Sequence, residues 1–293
     1  MTSATTPARF TYRAQDGLDI TAYHWKPTAE PRGVVQLTHG MGEHVLRYSA
    51  LATALAEHGF AVLGQDHRGH GASAESEAAL GQIGADGWAG LIDDIGLLSA
   101  IAREEYPGLP LVLLAHSMGS FAVQQLLLDH SDQVDAVALT GTAALDLLEP
   151  ALDLDAELDL AMFNAAFVPA RTDYDWLSRD AAQVDAYIAD PRCGFGLDTA
   201  AVKAMFAGAR RLADPDRIAQ VRAHLPLSIA VGDADPVNAQ LALVNPLVER
   251  FKAAGLDVTF KAYPGARHEL FNETNRAEVV ADLLAWLDRV PTR

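Results

Sequence analysis

At Leu111-Val-Leu-Leu-Ala-His-Ser-Met-Gly-Ser120 an apolar run shaped like a buried strand ends in a serine between small residues. A serine on the sharp turn from a strand into a helix presents its hydroxyl, and small residues two positions to either side let the backbones pass closely. Ala115 and Gly119 hold those positions around Ser117. The chemistry this prepares is nucleophilic attack with a covalent intermediate. A serine hydroxyl is a weak nucleophile near neutral pH, so the chain must also supply a histidine to take its proton and an acid to orient that histidine.

Two later loops supply them. The β-rich run Leu227–Val231 is followed by Gly232-Asp-Ala-Asp-Pro-Val237, and Thr259–Tyr263 by Pro264-Gly-Ala-Arg-His-Glu269. The order serine, acid, histidine, each just past a strand, points to Ser117, Asp235 and His268, with Asp233 as the competing acid. Of ten histidines, His268 alone follows the last strand and precedes the final helical pattern, which begins near Asn275. Acyl transfer also needs N–H donors for the developing oxyanion. Met118, directly after the serine, is placed to give one; Met41, in His39-Gly-Met-Gly-Glu-His44 after the strand Val34–Leu37, is placed to give the other. Gly40 and Gly42 let that loop turn sharply near a substrate carbonyl. His39, Gly40 and His116 are the candidates for substrate contact.

Asp66-His-Arg-Gly-His-Gly-Ala-Ser73 sets His67 and His70 three apart, a spacing metal ligands share. No second cluster completes a coordination shell, and the segment lies on the loop after Ala61–Gln65, so no metal site is expected. The chain has neither a phosphate-binding loop nor a dinucleotide fingerprint, and no cofactor is expected.

These residues must be held by an alternating framework. Val34–Leu37, Ala61–Gln65, Leu111–Leu114, Ala136–Leu139, Leu227–Val231 and Thr259–Tyr263 read as strands between helix-like segments, which implies a parallel sheet with helices on both faces. Phe10–Arg13 and Ala22–Trp25, on either side of Gln15-Asp-Gly17, read as an antiparallel hairpin at one edge. Trp88, Leu91, Ile95, Leu98 and Ala102 fall three or four apart and predict an amphipathic helix closed by Pro107-Gly108. After Gly141 about 80 residues pass before the next strand, too long for an ordinary connection, so an inserted helical cap is expected. Its first part, Asp146 to Asp159, carries six acidic residues among leucines. Leu160-Ala-Met-Phe-Asn-Ala-Ala-Phe-Val-Pro169 is apolar, suited either to line an acyl pocket or to pack on the body.

The 293 residues carry 39 acidic and 22 basic side chains, a net charge of −17. Such a surface repels duplexes and anionic membranes, and nucleic-acid binding is not expected. From Glu104 through Ala170 there is no Lys or Arg. Met1–Phe10 lacks an apolar leader core, and no run reaches the roughly 18 apolar residues of a membrane span. A soluble, cytoplasmic protein without stable membrane anchoring is the expectation. The one cysteine, Cys193, cannot form an internal disulfide and reads as a packing residue.

With His39-Gly-Met-Gly-Glu-His44, Arg47-Tyr48, Asp66-His-Arg-Gly-His-Gly-Ala-Ser73, His116-Ser-Met-Gly119, Gly232-Asp-Ala-Asp235 and Pro264-Gly-Ala-Arg-His268 in this order, the chain resembles the monoacylglycerol lipase and lysophospholipase-like α/β-hydrolases nearly end to end. Leu177-Ser-Arg-Asp180 through Asp190-Pro191 is similar to that family's cap. The resemblance implies an α/β-hydrolase fold of about eight mostly parallel strands, formed by residues 1–141 and 223–293, with residues 142–222 as the cap. It implies a Ser117, Asp235, His268 triad, an oxyanion hole at Met41 and Met118, and hydrolysis of a carboxylic ester or monoacyl lipid through an acyl-enzyme. Ala115 departs from the glycine usual at the family's elbow. The early cap is acidic where a membrane-visiting lipase would be apolar or basic, so dispersed or short-to-medium acyl esters are the expected substrates. The rival readings are a capped aminopeptidase of the proline-iminopeptidase type, with cap carboxylates such as Asp146, Glu149 and Asp153 holding a substrate ammonium, a cofactor-free perhydrolase, and a catalytically silent binding fold.

Overall fold

The computed structural model describes residues 6–156 and 158–291. Met1–Thr5, at the start of the stretch without an apolar leader core, and Glu157, one of the six acidic residues from Asp146 to Asp159, lie outside them, as do Thr292 and Arg293. The Gln15-Asp-Gly17 turn joins β1 (Ala8–Arg13) to β2 (Asp19–Trp25) in antiparallel pairing, with Gly17 at φ +86°. Then come β3 (Gly33–Thr38), α1 (Ser49–Glu57), β4 (Phe60–Gln65), α2 (Gly87–Glu105), β5 (Leu111–His116), α3 (Met118–His130) and β6 (Ala136–Thr140). The connection that follows holds α4 (Leu145–Leu148), α5 (Ala181–Ala189), α6 (Thr199–Ala209) and α7 (Pro215–Ile218), interleaved with short 3-10 turns. The chain closes with β7 (Pro226–Gly232), α8 (Val244–Ala253), β8 (Asp257–Tyr263) and α9 (Arg276–Leu287).

One eight-stranded sheet results, in the order β1-β2-β4-β3-β5-β6-β7-β8. β2 pairs antiparallel with β1 and β4, and every other neighbour pair is parallel. The central strands are fully buried because both faces are covered, which is why they read as continuous apolar runs. Alternate residues serve two layers: Val34, Leu111 and Leu113 meet Leu91, Ile95 and Leu98 of α2, while Val35, Val112 and Leu114 share a cluster with Leu55 of α1 and Trp286 of α9. β8 starts at Asp257, two residues before its apolar pattern, because pairing from Pro226 to Asp257 rather than burial sets its length at the sheet edge.

The strand order also locates the crevice. β4 lies on one side of β3 and β5 on the other, so the loops leaving β3 and β5 diverge at their carboxyl ends, where open α/β sheets bind ligands. Over that crevice runs the long connection. Its later part packs onto the body through Val202, Met205 and Phe206 of α6. Gly208 packs tightly there: a Cβ would fall 1.8 Å from Gln125 Oε1, so that side chain, which accepts from Trp88 Nε1 at 2.8 Å, would have to shift. Among the described residues no helix is long and apolar enough to cross a membrane.

Candidate active site

β5 ends at His116 and α3 begins at Met118, leaving Ser117 alone on the turn at φ 51°, ψ −124°. A non-glycine residue in this region is strained, and such strain persists only where the surroundings hold it. Here Ser117 N–H donates to Thr140 O at 3.0 Å, and Ser117 O accepts from Phe121 N at 3.1 Å and from Ser120 Oγ at 2.6 Å. Gly119 is obligatory: a Cβ would lie 2.5 Å from His39 O and 2.6 Å from Thr38 O. Ala115, where the family's elbow usually carries glycine, is fully buried in β5 between Thr38 and Leu139, so its methyl fits the core. Ser117 itself is half-buried while its chain neighbours are buried.

His268 Nδ1 donates to Asp235 Oδ2 at 2.9 Å, and Asp235 Oδ1 accepts from Val237 N at 2.9 Å. Asp233 faces elsewhere, accepting from Gly265 N at 2.6 Å on the exposed side of the same loop. Burial alone would lower the His268 pKa, but the charge and hydrogen bond of Asp235, aided by Glu269 and Glu43, hold it above its ordinary value. Two rings flank this imidazole, His116 with centroids 4.7 Å apart and Trp176 of the β6–β7 connection at 4.9 Å. The same connection also accepts from the backbone here, Glu269 N–H reaching Leu177 O at 2.8 Å. Trp176 was not singled out by sequence reasoning; nothing local in the sequence marks it.

Ser117, His268, Met41, Met118, Gly40 and His116 all border one cavity that opens to solvent at its mouth. Met41 N–H has no hydrogen-bond acceptor among the described residues, and Met118 N–H, in the first turn of α3, has no acceptor within its helix. Gly40 is pressed against the serine, since a Cβ there would lie 3.1 Å from Ser117 Cβ and 2.9 Å from Glu43 Oε1. The outer wall is apolar, with Leu145, Leu148, Leu158, Leu160, Phe163 and Phe206 prominent. The apolar stretch from Leu160 thus does both things open to it: Leu160 and Phe163 line the cavity, while the Phe167 ring packs on the Arg267 guanidinium at 4.2 Å.

His39 does not reach this cavity. It is 1% exposed, donates from Nδ1 to Gly40 O at 2.8 Å and accepts at Nε2 from His67 N at 3.0 Å. Its ring packs at a tilt against His67, with centroids 4.2 Å apart, and against His70 at 5.3 Å. Burial pushes His67 down to about 3 and His70 to about 4, so this is a neutral packing cluster beneath the loop. The donor set that comes together in the described residues is another one: His44, Asp190 and Cys193, whose ligand atoms lie within 4.8 Å of one another. Asp190 is already held by Arg192 and by His44 Nε2 at 2.9 Å, and burial pushes the Cys193 thiol up to about 12. His44 and Asp190 thereby form a hydrogen-bonded link from the loop after β3 to the long connection between β6 and β7.

Sequence reasoning also missed a buried ionic cluster of Glu43, Arg47 and Glu269 at the cavity floor. The four-residue spacing of Glu43 and Arg47 was the available signal; Glu269 lies 222 positions from Arg47.

Against known proteins, the family described as serine aminopeptidase, S33, matches residues 29–275. The chain is 32% identical to a monoacylglycerol lipase of Mycolicibacterium smegmatis, across 97% of this chain and 98% of that protein. It is 30% identical to a monoglyceride lipase of Homo sapiens, across 88% and 82%. Among solved structures, a thermostable carboxyl esterase from Bacillus coagulans in complex with glycerol superposes with a TM-score of 0.87 at 25% identity, covering 97% of this chain and 99% of that one.

Proposed function

Because the chain belongs to the serine aminopeptidase, S33, family of α/β-hydrolases, and within it resembles monoacylglycerol lipases over nearly its whole length, we propose a mechanism for it as a serine hydrolase of carboxylic esters. Ser117 Oγ attacks the ester carbonyl while His268 Nε2 takes its proton. The N–H groups of Met41 and Met118 receive the oxyanion. His268 then gives the proton to the departing alcohol, leaving an acyl-enzyme, and water repeats the cycle to free the acid and restore Ser117. Asp235 fixes the Nδ1–H tautomer throughout and does not itself take the proton. The observation that carries this reading is the strained Ser117 and the His268–Asp235 pair opening on one apolar-walled cavity.

The substrate class is a small lipid ester, a monoacyl lipid or comparable acyl ester with its chain along the leucine-rich wall. We place the preference at dispersed, short-to-medium acyl chains, since the early cap is acidic. Leu147, Met162, Val168 and Ile188, all on the 142–222 segment we assign as cap, are exposed and argue in the opposite direction. Octanoyl ester presented in solution and on anionic vesicles decides the matter: preference for the dispersed form supports the proposal, and a steep rise on vesicles ends it. We assign the enzyme to the cytoplasm, without nucleic-acid partner, on its net charge of −17 and the free thiol of Cys193.

An aminopeptidase needs a carboxylate free to hold the substrate ammonium. The carboxylates lining the cavity are Glu43 and Glu269, and Arg47 holds both. Asp146 pairs with Arg250 and Glu149 with Arg210, while Asp153, which accepts from Asp155 N at 3.0 Å, does not line the cavity. Prolyl or leucyl anilides should therefore turn over far more slowly than nitrophenyl esters.

A further inference from the structure

Arg47 joins two carboxylates that come from the two loops on which the reaction depends. Its Nη1 lies 2.5 Å from Glu43 Oε2 and 2.6 Å from Glu269 Oε1, and its Nη2 donates to Glu269 Oε2 at 2.7 Å. Glu43 Oε1 accepts in turn from Gly40 N–H at 2.6 Å and from the Tyr48 hydroxyl at 2.7 Å. Gly40 immediately precedes Met41, and Glu269 immediately follows His268. The side chains of Arg47, Glu43 and Glu269 are 11%, 3% and 6% exposed, and the Tyr187 ring covers the guanidinium at 4.8 Å.

Taking three charges out of water is unfavourable, and apolar residues of the same shape often serve stability as well or better. What the cluster adds is geometry. A bidentate fork to one carboxylate and a shared bond to another fix distance and angle in a way that apolar packing does not.

We propose that Arg47 is a positioning residue for ester hydrolysis: through Glu43 it fixes the His39–Gly40 peptide, next in the chain to the one that carries Met41 N–H, and through Glu269 it fixes the loop that carries His268. Oxyanion donor and proton acceptor then hold one spacing while charge moves from Ser117 to the carbonyl oxygen. The proposal rests on the roles assigned above to Ser117, His268 and Met41. The charged groups facing His268 are Asp235, Glu269 and Glu43, with Arg47 behind the last two; its neighbour His116 is kept neutral by burial.

The test compares Arg47→Met, Arg47→Lys and Glu269→Gln with the wild type for kcat and KM on nitrophenyl octanoate, and for inhibition by octylboronic acid, which becomes tetrahedral on the serine. A reacting group displaced by about 1 Å loses on the order of 10²-fold in rate, so kcat of Arg47→Met should fall by about that factor. KM should change little, and the boronate should weaken in parallel with kcat, because the substitution weakens binding of the transition state and spares that of the substrate. Arg47→Lys should recover part of the rate, since an ammonium cannot fork to one carboxylate while holding the other. A loss confined to KM with boronate affinity intact would overturn the proposal. Should Arg47→Met fail to fold, Arg47→Lys and Glu269→Gln at wild-type kcat would overturn it equally. Esterase activity that survives Ser117→Ala would remove the reading beneath the proposal, and that result is seen before any Arg47 variant is compared.

Discussion

His268 Nδ1 donates to Asp235 Oδ2 across 2.9 Å at a site where the imidazole is 2% exposed and the carboxylate has no accessible surface. A histidine held this way has one tautomer, with Nε2 left bare toward the cavity that Ser117 borders. Asp235→Asn should keep the shape and lose the tautomer, lowering kcat by roughly 10⁴-fold with little change in melting temperature. Asp233→Asn, whose one side-chain hydrogen-bond partner among the described residues is the Gly265 N–H, should stay near wild type. An inactive Asp233 variant beside an active Asp235 variant would exchange the two assignments.

The pH dependence of kcat/KM follows from the same pair. His268 must be unprotonated to accept the Ser117 proton, and its pKa is held above the ordinary 6.5 by Asp235 against the effect of burial. Activity should therefore rise through an apparent pKa above 6.5, and a rise complete well below that value would contradict the assignment. The profile is read on a substrate that is neutral throughout the range.

Stability should show a different acid limb. Burial depresses His39, His116, His67 (to about 3) and His70 (to about 4), so these groups are neutral when folded, whereas the unfolded chain binds protons below 6.5. By linkage, stability is full above 6.5 and falls as pH drops from there toward the folded values. His268, with its raised pKa, contributes in the opposite sense and is already protonated in both states below 6.5. Carboxylates held low, such as Glu269, begin to add to the loss only below about 4.5. Melting temperatures between pH 7.5 and 4.5 test this, and a flat profile would show that the buried imidazoles carry no linkage.

The elbow gives a paired prediction. Gly119→Ala forces a Cβ to within 2.5 Å of His39 O, a backbone atom that cannot swing aside, and should cost at least the 1–3 kcal/mol typical of overpacking, at about that order, along with most of the activity. Ala115→Gly only removes a buried methyl and frees the strand backbone, so it should cost about 1 kcal/mol and leave kcat nearly unchanged. Denaturant melts and ester kinetics on the two variants separate a steric requirement from mere smallness.

How far the sequence carries can be followed residue by residue. The hairpin, the parallel strands and α2 were legible because burial on one or two faces writes a period into the residues. Ser117, Asp235 and His268 were legible because each follows a strand whose end is well marked. His39 was placed one step too far: it leaves β3 beside the cavity, yet its ring turns under the loop onto His67, and side-chain direction at a strand exit is not written in the local pattern. The sequence favours Asp235 over Asp233, and the loop's geometry pairs Asp235 with His268 while turning Asp233 to Gly265 N. Arg47 with Glu269, and Trp176 against His268, are contacts across distant segments, which no period or short motif encodes.

The central claim is that Ser117 is the nucleophile of an ester hydrolase, and hydrolysis of nitrophenyl esters from two to sixteen acyl carbons by the wild type and Ser117→Ala tests it most directly. The account predicts turnover with a maximum at short-to-medium chains, and its loss in the variant to the small residual rate that oxyanion donors and binding alone provide, about 10³- to 10⁴-fold over water in such sites. Folded wild type without activity at any chain length, or a Ser117→Ala variant as active as the parent, would contradict it.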